Sequence, residues 1–409
     1  MSWNIKKTLG VLGPGFILAS VVLGPGSITT SSKIGAEHGY ALMWVIVAAA
    51  LAMATYTLIA ARFGVSQDNS ILATIAEQYG RWFAIIIGVS SFLMAASFQF
   101  GNNLGVATAI NAITGISEVV CPLLFTGLAL LLVFFARNLY KILEKLMMVL
   151  VMVMILAFFL NLIFAKPNIF SAISGMVPTV PPNALDEMAA LVATTFCLHA
   201  CLYQAYLVQD KGWKIGDLRE GMRDSITGIV LLGGISMLII MTSAAALNPA
   251  GIKIATAADM AIQLEALFGK SAKYVFSLGL WAAAFSSLTV NAIMGGGLLA
   301  DGLGIGRSMQ EKAPKIFAAL IMIVGMVVAE AGLRFKGNIV YSLVLAQAAT
   351  LFAVPSVAIG LFLLSNNRKV MRKLANNIWQ NILAVFGLIL ILTMVVYVYS
   401  QLIARLQSL

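Results

Sequence analysis

Charge is what this sequence has least of. Asp, Glu, Lys and Arg make up 10% of its 409 residues, whereas a soluble domain is nearer a quarter charged. Hydrophobic residues reach 61%, and mean hydropathy is +0.97. A soluble globular enzyme and a disordered chain are both excluded. Cysteine is scarce too. Cys121, Cys197 and Cys201 all lie in or beside apolar runs and form no CxxC pair, which excludes a disulfide framework and a structural zinc site. No Ser–His–acid set, metal-ligand cluster or phosphate loop is visible, so the chain does not read as an enzyme. The scarcest feature is a carboxylate inside a span. The 16 acids fall in loops or within a turn or two of a span end. Ionisable residues deep in a span mark ion paths and proton relays, and this chain places no acid at the middle of one.

What remains is apolar sequence. A membrane-spanning helix needs roughly 20 apolar residues. Eleven such segments follow one another at 8–31, 40–62, 82–112, 118–136, 141–165, 186–209, 225–248, 272–300, 314–332, 339–364 and 380–405. The first starts just after Lys6 and Lys7 and ends at no small-residue cleavage site, so it reads as a helix and not a signal peptide. The stretch 166–185 holds Pro167, Pro178, Pro181 and Pro182 and reads as an irregular loop. The whole chain, 1–409, is one membrane domain. With the N-terminus in the cytoplasm, 18 of the 26 basic residues face inside and 8 outside. By the positive-inside rule that sets an N-in, C-out topology. It also explains the net charge of +10 as membrane flanks, with no nucleic-acid partner.

Polar residues inside the spans are the candidate site. The first span contains Gly24-Pro25-Gly26. Proline lacks an N–H and clashes with the preceding turn, so the segment is either a plain kink or a broken helix lining a cavity. The sixth span gathers Thr194, Thr195, Cys197, His199, Cys201, Tyr203 and Gln204. A lone His199 reads as a hydrogen-bonded core residue. The CxHxC spacing does not converge on one ion, because residues two apart point about 200° apart on a helix, unless the helix unwinds there. The third span carries Gln99 and Asn102, with Gly105, at three-residue spacing on one face; such amides serve interhelical hydrogen bonds or a polar path. The eighth span carries Ser286, Ser287, Thr289 and Asn291, which suggest an inward face, then Gly295-Gly296-Gly297, which permit close helix approach, and its role reads as packing.

These residues resemble a known family. GPGF at 13–16, GPGS at 24–27, IGAEHGY at 34–40, YKILEK at 140–145, LVQ at 207–209, SSLT at 286–289 and ADG at 300–302 resemble the Nramp-type (natural resistance-associated macrophage protein) divalent metal transporters. The resemblance implies an all-α integral membrane protein of the LeuT-type (APC superfamily) fold. It would have about 11 transmembrane helices, with helices 1 and 6 broken. Segments 8–165 and 186–364 would be inverted five-helix repeats, and 380–405 a peripheral eleventh helix. It further implies a prokaryotic inner-membrane location and no cofactor.

The chain departs from the family where the resemblance puts the metal. The aspartate of the family's DPGN falls on Gly24 and its asparagine on Ser27. The metal-binding alanine carbonyl falls on Thr194, the methionine on Cys197, the proline on Leu198, and the histidine is kept as His199. The second histidine falls on Gln204. The acids of the proton path fall on Gln99 and Asn102, and a helix-10 glutamine corresponds to Gln347. Ser27, Thr194 and Cys197 are then the candidate metal ligands, with Gly24 beside them, Pro25 and Gly26 as the break, and Gln99, Asn102, His199 and Gln347 as cavity or relay. Every family carboxylate is neutral here. Two readings of the cargo follow. One is a partly hydrated Mg²⁺ or Mn²⁺, moved without the family's proton coupling. The other is a small anionic, zwitterionic or neutral solute, held by the open helix ends at the break.

Overall fold

A computed structural model describes residues 13–135, 149, 152, 156, 158–254, 257–308, 310–334 and 350–407. Every regular element among the described residues is helical. The principal helices are α1 (Pro14–Val22), α2 (Pro25–His38), α3 (Met43–Ser66), α4 (Ile71–Tyr79), α5 (Arg81–Thr114), α6 (Val120–Phe135), α7 (Leu185–Thr195), α8 (Leu198–Asp210), α9 (Leu218–Ala246), α10 (Ala272–Leu303), α11 (Lys312–Arg334), α12 (Val354–Asn366) and α13 (Ile378–Gln407). Among the described residues, seven helical segments are long and apolar enough to cross a membrane, with α7 and α8 counted together. They coincide with seven of the eleven expected spans. The segments at 118–136 and 339–364 carry the shorter α6 and α12, and most of 141–165 lies outside the described residues.

Two expectations need correction, and one connection between spans is itself helical. The first span does not stop near residue 31. After its break the helix runs on to His38 through ITTSSKIGAEH. Hydropathy misses this segment because it is rich in hydroxyls, yet Ser27 to Ser32 are all buried. Their environment is protein, not lipid. The linker 63–81 contains α4, whose N-cap Ser70 accepts from the Ala73 N–H at 3.1 Å. The proline-rich stretch 166–185 is not irregular throughout. It holds one short helix, Ile169–Ser174, capped by Asn168.

The core is a bundle around the broken elements. α5 and α10 pack along much of their length, and α9 packs on α1, α2 and α3. α8 packs on α3, and α2 on α7. Gly296 brings α10 onto α11, since a methyl group there would sit 2.5 Å from the Ala318 nitrogen. The α11 residues Leu320 and Val327 and the α13 residues Ile389 and Val396 are exposed and apolar, as a lipid-facing surface requires.

Buried carboxylates sit at the edges of this bundle, each already engaged. Glu187, near the start of α7, pairs with Lys33 of α2 at 2.6 Å. Asp301, near the end of α10, accepts from the Tyr206 hydroxyl at 2.5 Å. Asp224, in the second turn of α9, accepts from the Gly13 and Gly15 N–H groups at 3.1 and 2.6 Å. The start of α1 has no cap from its own neighbours, so its cap comes from 211 residues away. On the exposed surface, Lys214 pairs with Asp68 at 2.6 Å, and this holds the Asp68 carboxyl below its ordinary range.

Candidate functional site

Two helix breaks define the centre. α1 ends at Val22, Leu23 leaves helical geometry at ψ 45°, and Gly24 is extended at ψ 178° before Pro25 opens α2. Proline suits that first position, where a helix N–H has no partner to lose. The second break lies between α7 and α8. Phe196 leaves helical geometry at ψ 68° and Cys197 is extended at ψ 90°. No proline or glycine marks it in the sequence. Fully buried Phe196, with its ring 5.3 Å from that of Tyr56, anchors the link from outside. Each break leaves helix carbonyls facing one way and helix N–H groups the other, without full intrahelical pairing.

Gly24 faces neutral oxygen. A β-carbon at this position would lie 3.0 Å from the Ser287 hydroxyl oxygen and 3.2 Å from the Asn102 Oδ1. The first and third spans thus meet the eighth here, and space that a side chain would need is held by an amide and a hydroxyl. Gly105, one turn beyond Asn102, lets Pro25 approach α5, because a β-carbon there would collide with the proline ring. The expected polar face Gln99–Asn102–Gly105 therefore forms and backs the break.

The amides of α5 bind one another and α10. Asn102 Nδ2 donates to Gln99 Oε1 at 3.0 Å, and Gln99 Nε2 donates to the Leu288 carbonyl at 2.6 Å. Asn103 Nδ2 donates to the Gln99 carbonyl and receives the Thr126 hydroxyl on its Oδ1. Ser27 spans its own break, its hydroxyl donating to the Val22 carbonyl at 2.5 Å. Thr194 turns its hydroxyl hydrogen back onto Ala190 and Leu191 of α7. Both oxygens keep lone pairs. Gln204 donates to Ser225 at 2.9 Å. Gln347 lies outside the described residues.

His199 is held between Cys197 and Asn291. Its Nε2 lies 2.5 Å from Asn291 Oδ1, and Asn291 Nδ2 donates to the Ala95 carbonyl at 3.0 Å. The amide oxygen must therefore accept, which puts the imidazole proton on Nε2. Cys197 Sγ lies 3.4 Å from Nδ1 and 3.7 Å from Nε2, over the ring and off the axis of the Nδ1 lone pair. The reading of His199 as a hydrogen-bonded core residue holds. The divergence expected of Cys197 and His199 does not, because the chain unwinds at Phe196–Cys197. Cys201 does diverge, toward Met53 Sδ at 3.0 Å and Thr57 at 3.4 Å.

Ser287 and Asn291 lie on the inward face that their residue types suggest, and beyond the packing role expected there they face Gly24 and His199. Their signal was present: four residues apart, they share a helix face, and Asn291 is a costly residue to place in a span without a partner. Among the described residues, no group of three or more His, Cys, Asp or Glu side chains is placed to hold a metal ion. The centre is neutral, polar and buried.

This architecture has known relatives. The divalent metal cation transporter MntH of Pectobacterium carotovorum is 24% identical over 400 residues, covering 96% of this chain and 94% of that protein. The same transporter of Chromohalobacter salexigens is 27% identical over 378 residues, covering 89% and 85%. A crystal structure of the Eremococcus coleocola manganese transporter superposes with a TM-score of 0.82 at 18% identity, covering 98% of this chain and 88% of the other. Mhp1, a nucleobase-cation-symport-1 family transporter, superposes at 0.62 with 13% identity, covering 96% and 93%. The fold is the LeuT-type all-α membrane fold. The model of the natural resistance-associated macrophage protein-like family matches residues 15–401, and this chain belongs to that family.

Proposed function

We propose that this chain is a multi-pass transporter of divalent metal cations that carries Mg²⁺ or Mn²⁺ with part of its water shell. The observation that carries this reading is the pair of neutral oxygens, Asn102 Oδ1 and Ser287 Oγ, at the place of the Gly24 side chain. Small hard dications give up water reluctantly, and a carboxylate normally offsets that loss. Neutral oxygens offset it poorly but hydrogen-bond well to bound water. The cargo would be contacted by Gly24, Ser27, Thr194 and Cys197, with Gln99, Asn102 and His199 forming the polar wall.

Proton coupling would lack the family's carboxylate route, since Gln99 and Asn102 stand where the family resemblance puts acids. Transport then follows the ion gradient and the membrane potential. The halves 8–165 and 186–364 would rock as inverted repeats around the site, with 380–405 at the periphery. The membrane would be a prokaryotic inner membrane, with the N-terminus in the cytoplasm and the C-terminus outside, as the basic residues indicate.

A second cargo class has one observation in its favour. The N-caps at both breaks, Gly24 and Cys197, make no side-chain cap hydrogen bond. The N-terminal ends of α2 and α8 at these breaks would suit a carboxylate or another anion.

Calorimetric titration of the purified protein with Mn²⁺ and Mg²⁺ separates the two. Saturable binding is expected with both ions. Ser27→Ala is expected to weaken it about fivefold, the value of one hydrogen bond near 1 kcal/mol, and Cys197→Ala by less. Absence of heat with either ion in folded protein would favour the anionic or zwitterionic cargo.

A further inference from the structure

We propose that the loop between α12 and α13 binds the phosphate headgroup of an anionic phospholipid, whose acyl chains lie along the exposed face of α13. The site is remote from the two helix breaks. It stands whichever cargo the protein carries and whichever side of the membrane the loop faces.

Charge points to the ligand. The loop holds Arg368, Lys369, Arg372 and Lys373, and no Asp or Glu occurs anywhere after Glu330. All four cations are exposed. Among the described residues, none of their side chains makes a hydrogen bond or an ion pair, whereas exposed Lys214 has Asp68. A basic cluster of this size beside a span attracts anionic headgroups, and guanidinium groups match phosphate oxygens in a fixed fork.

The neighbouring helix supplies the lipid surface. α13 is long and apolar enough to cross a membrane, and it begins at Ile378, just past the last of the four cations. Ile378, Ile382, Phe386 and Ile389 are exposed, and their spacing puts them on one helix face. Trp379, 72% exposed, stands where charge gives way to apolar surface, the level at which tryptophan meets headgroups. An apolar track for acyl chains therefore starts beside the cations.

The loop is also held in place. Asn367 Oδ1 accepts from the Lys369 and Val370 N–H groups at 3.0 and 3.4 Å, and Val370 and Met371 are buried beneath the cations. Gln67, at the end of α3, donates to the Val370 carbonyl at 2.8 Å. Buried Arg62 of α3 donates to the Leu374 carbonyl, Asn376 Oδ1 and Gln380 Oε1 at 3.0, 2.6 and 3.0 Å. Asn366 and Asn381 exchange amide bonds at 3.0 and 2.7 Å, which ties the two ends of the loop together. The backbone under the cations is ordered before a lipid arrives, so less freedom is lost on binding.

The test reads tryptophan fluorescence of the purified full-length protein in bilayers of phosphatidylcholine and phosphatidylglycerol, with one or the other lipid brominated on its chains. The Trp379 signal is the difference between wild type and Trp379→Phe. Brominated phosphatidylglycerol is expected to quench it more strongly than brominated phosphatidylcholine, and the preference is expected to fall as salt is raised. Arg368→Gln and Lys373→Gln each lower the preference by up to about fivefold, the value of one cation at an anionic surface. Changing all four cations to Gln abolishes it, and inorganic phosphate does not compete. The four side chains are exposed, so these variants are expected to fold, with circular dichroism as the check. Equal quenching by the two lipids in folded wild-type protein, a preference that survives in the fourfold variant, or competition by inorganic phosphate would overturn the site. Because the readout is lipid contact at Trp379, its failure is separate from any failure of Mn²⁺ or Mg²⁺ to bind.

Discussion

Replacing Gly24 by aspartate is expected to tighten Mn²⁺ binding by at least about tenfold while making the ion-free protein less stable. The gain comes from adding one charged oxygen to a neutral set, since the number of ligand charges sets affinity for hard cations. The loss comes from crowding. The new β-carbon would meet Ser287 Oγ at 3.0 Å and Asn102 Oδ1 at 3.2 Å. Insertion into a packed site costs roughly 1–3 kcal/mol. The amide oxygen of Asn102 cannot turn away without giving up its Nδ2 bond to Gln99, so the carboxylate faces a lone pair until a cation arrives. The added variant Ser287→Ala is expected to restore stability and keep the affinity. Thermal unfolding with and without Mn²⁺, beside calorimetry, checks both parts. Unchanged affinity in a folded Gly24→Asp protein would mean that the cation does not sit beside Gly24.

Asp224→Ala is expected to have the largest effect on stability away from the centre, about 3 kcal/mol. The carboxylate is 1% exposed and caps α1 through two backbone N–H groups. A charge-assisted hydrogen bond is worth about 1.5–3 kcal/mol, and Gly13 and Gly15 lose their acceptor together. The same contact holds α1 to α9. The two backbones touch at Gly15 and Gly228, where a β-carbon on Gly228 would collide with the Gly15 carbonyl. Loss of the cap should free α1 as a unit, so faster hydrogen exchange at Pro14–Val22 is expected, with α5 and α10 unaffected. Unchanged protection of α1 in the variant would contradict this account of how the half-helix is held.

The first break was legible from the residues themselves and the second only through the family resemblance, for a physical reason. Gly24-Pro25-Gly26 announces itself because proline removes a donor wherever it stands. At Phe196–Cys197 no residue has a backbone preference of that strength. The chain leaves the helix there among tertiary neighbours, Tyr56 against Phe196 and His199 beside Cys197. The spans were legible from hydropathy wherever they face lipid. Hydropathy missed the extent of α2, because Ser27–Ser32 is buried in protein and a polar helix there needs no apolar surface. Residue type placed Gln99 and Asn102 on one face, but it did not show that Ser287 faces Gly24 or that Asn291 orients His199. Those pairings join residues 92 positions apart or more, and no local pattern encodes them. The cap of α1 by Asp224 was illegible for the same reason.

A neutral site is expected to move a dication without a proton. Flux into proteoliposomes tests that most directly, with Mn²⁺ or Mg²⁺ outside, a clamped inside-negative potential and a pH-sensitive dye within. Uptake is expected to rise with the potential, to leave the internal pH unchanged, and to be indifferent to an imposed pH gradient. Metal uptake accompanied by internal acidification would contradict the account, as would the absence of uptake of both ions by folded, correctly inserted protein.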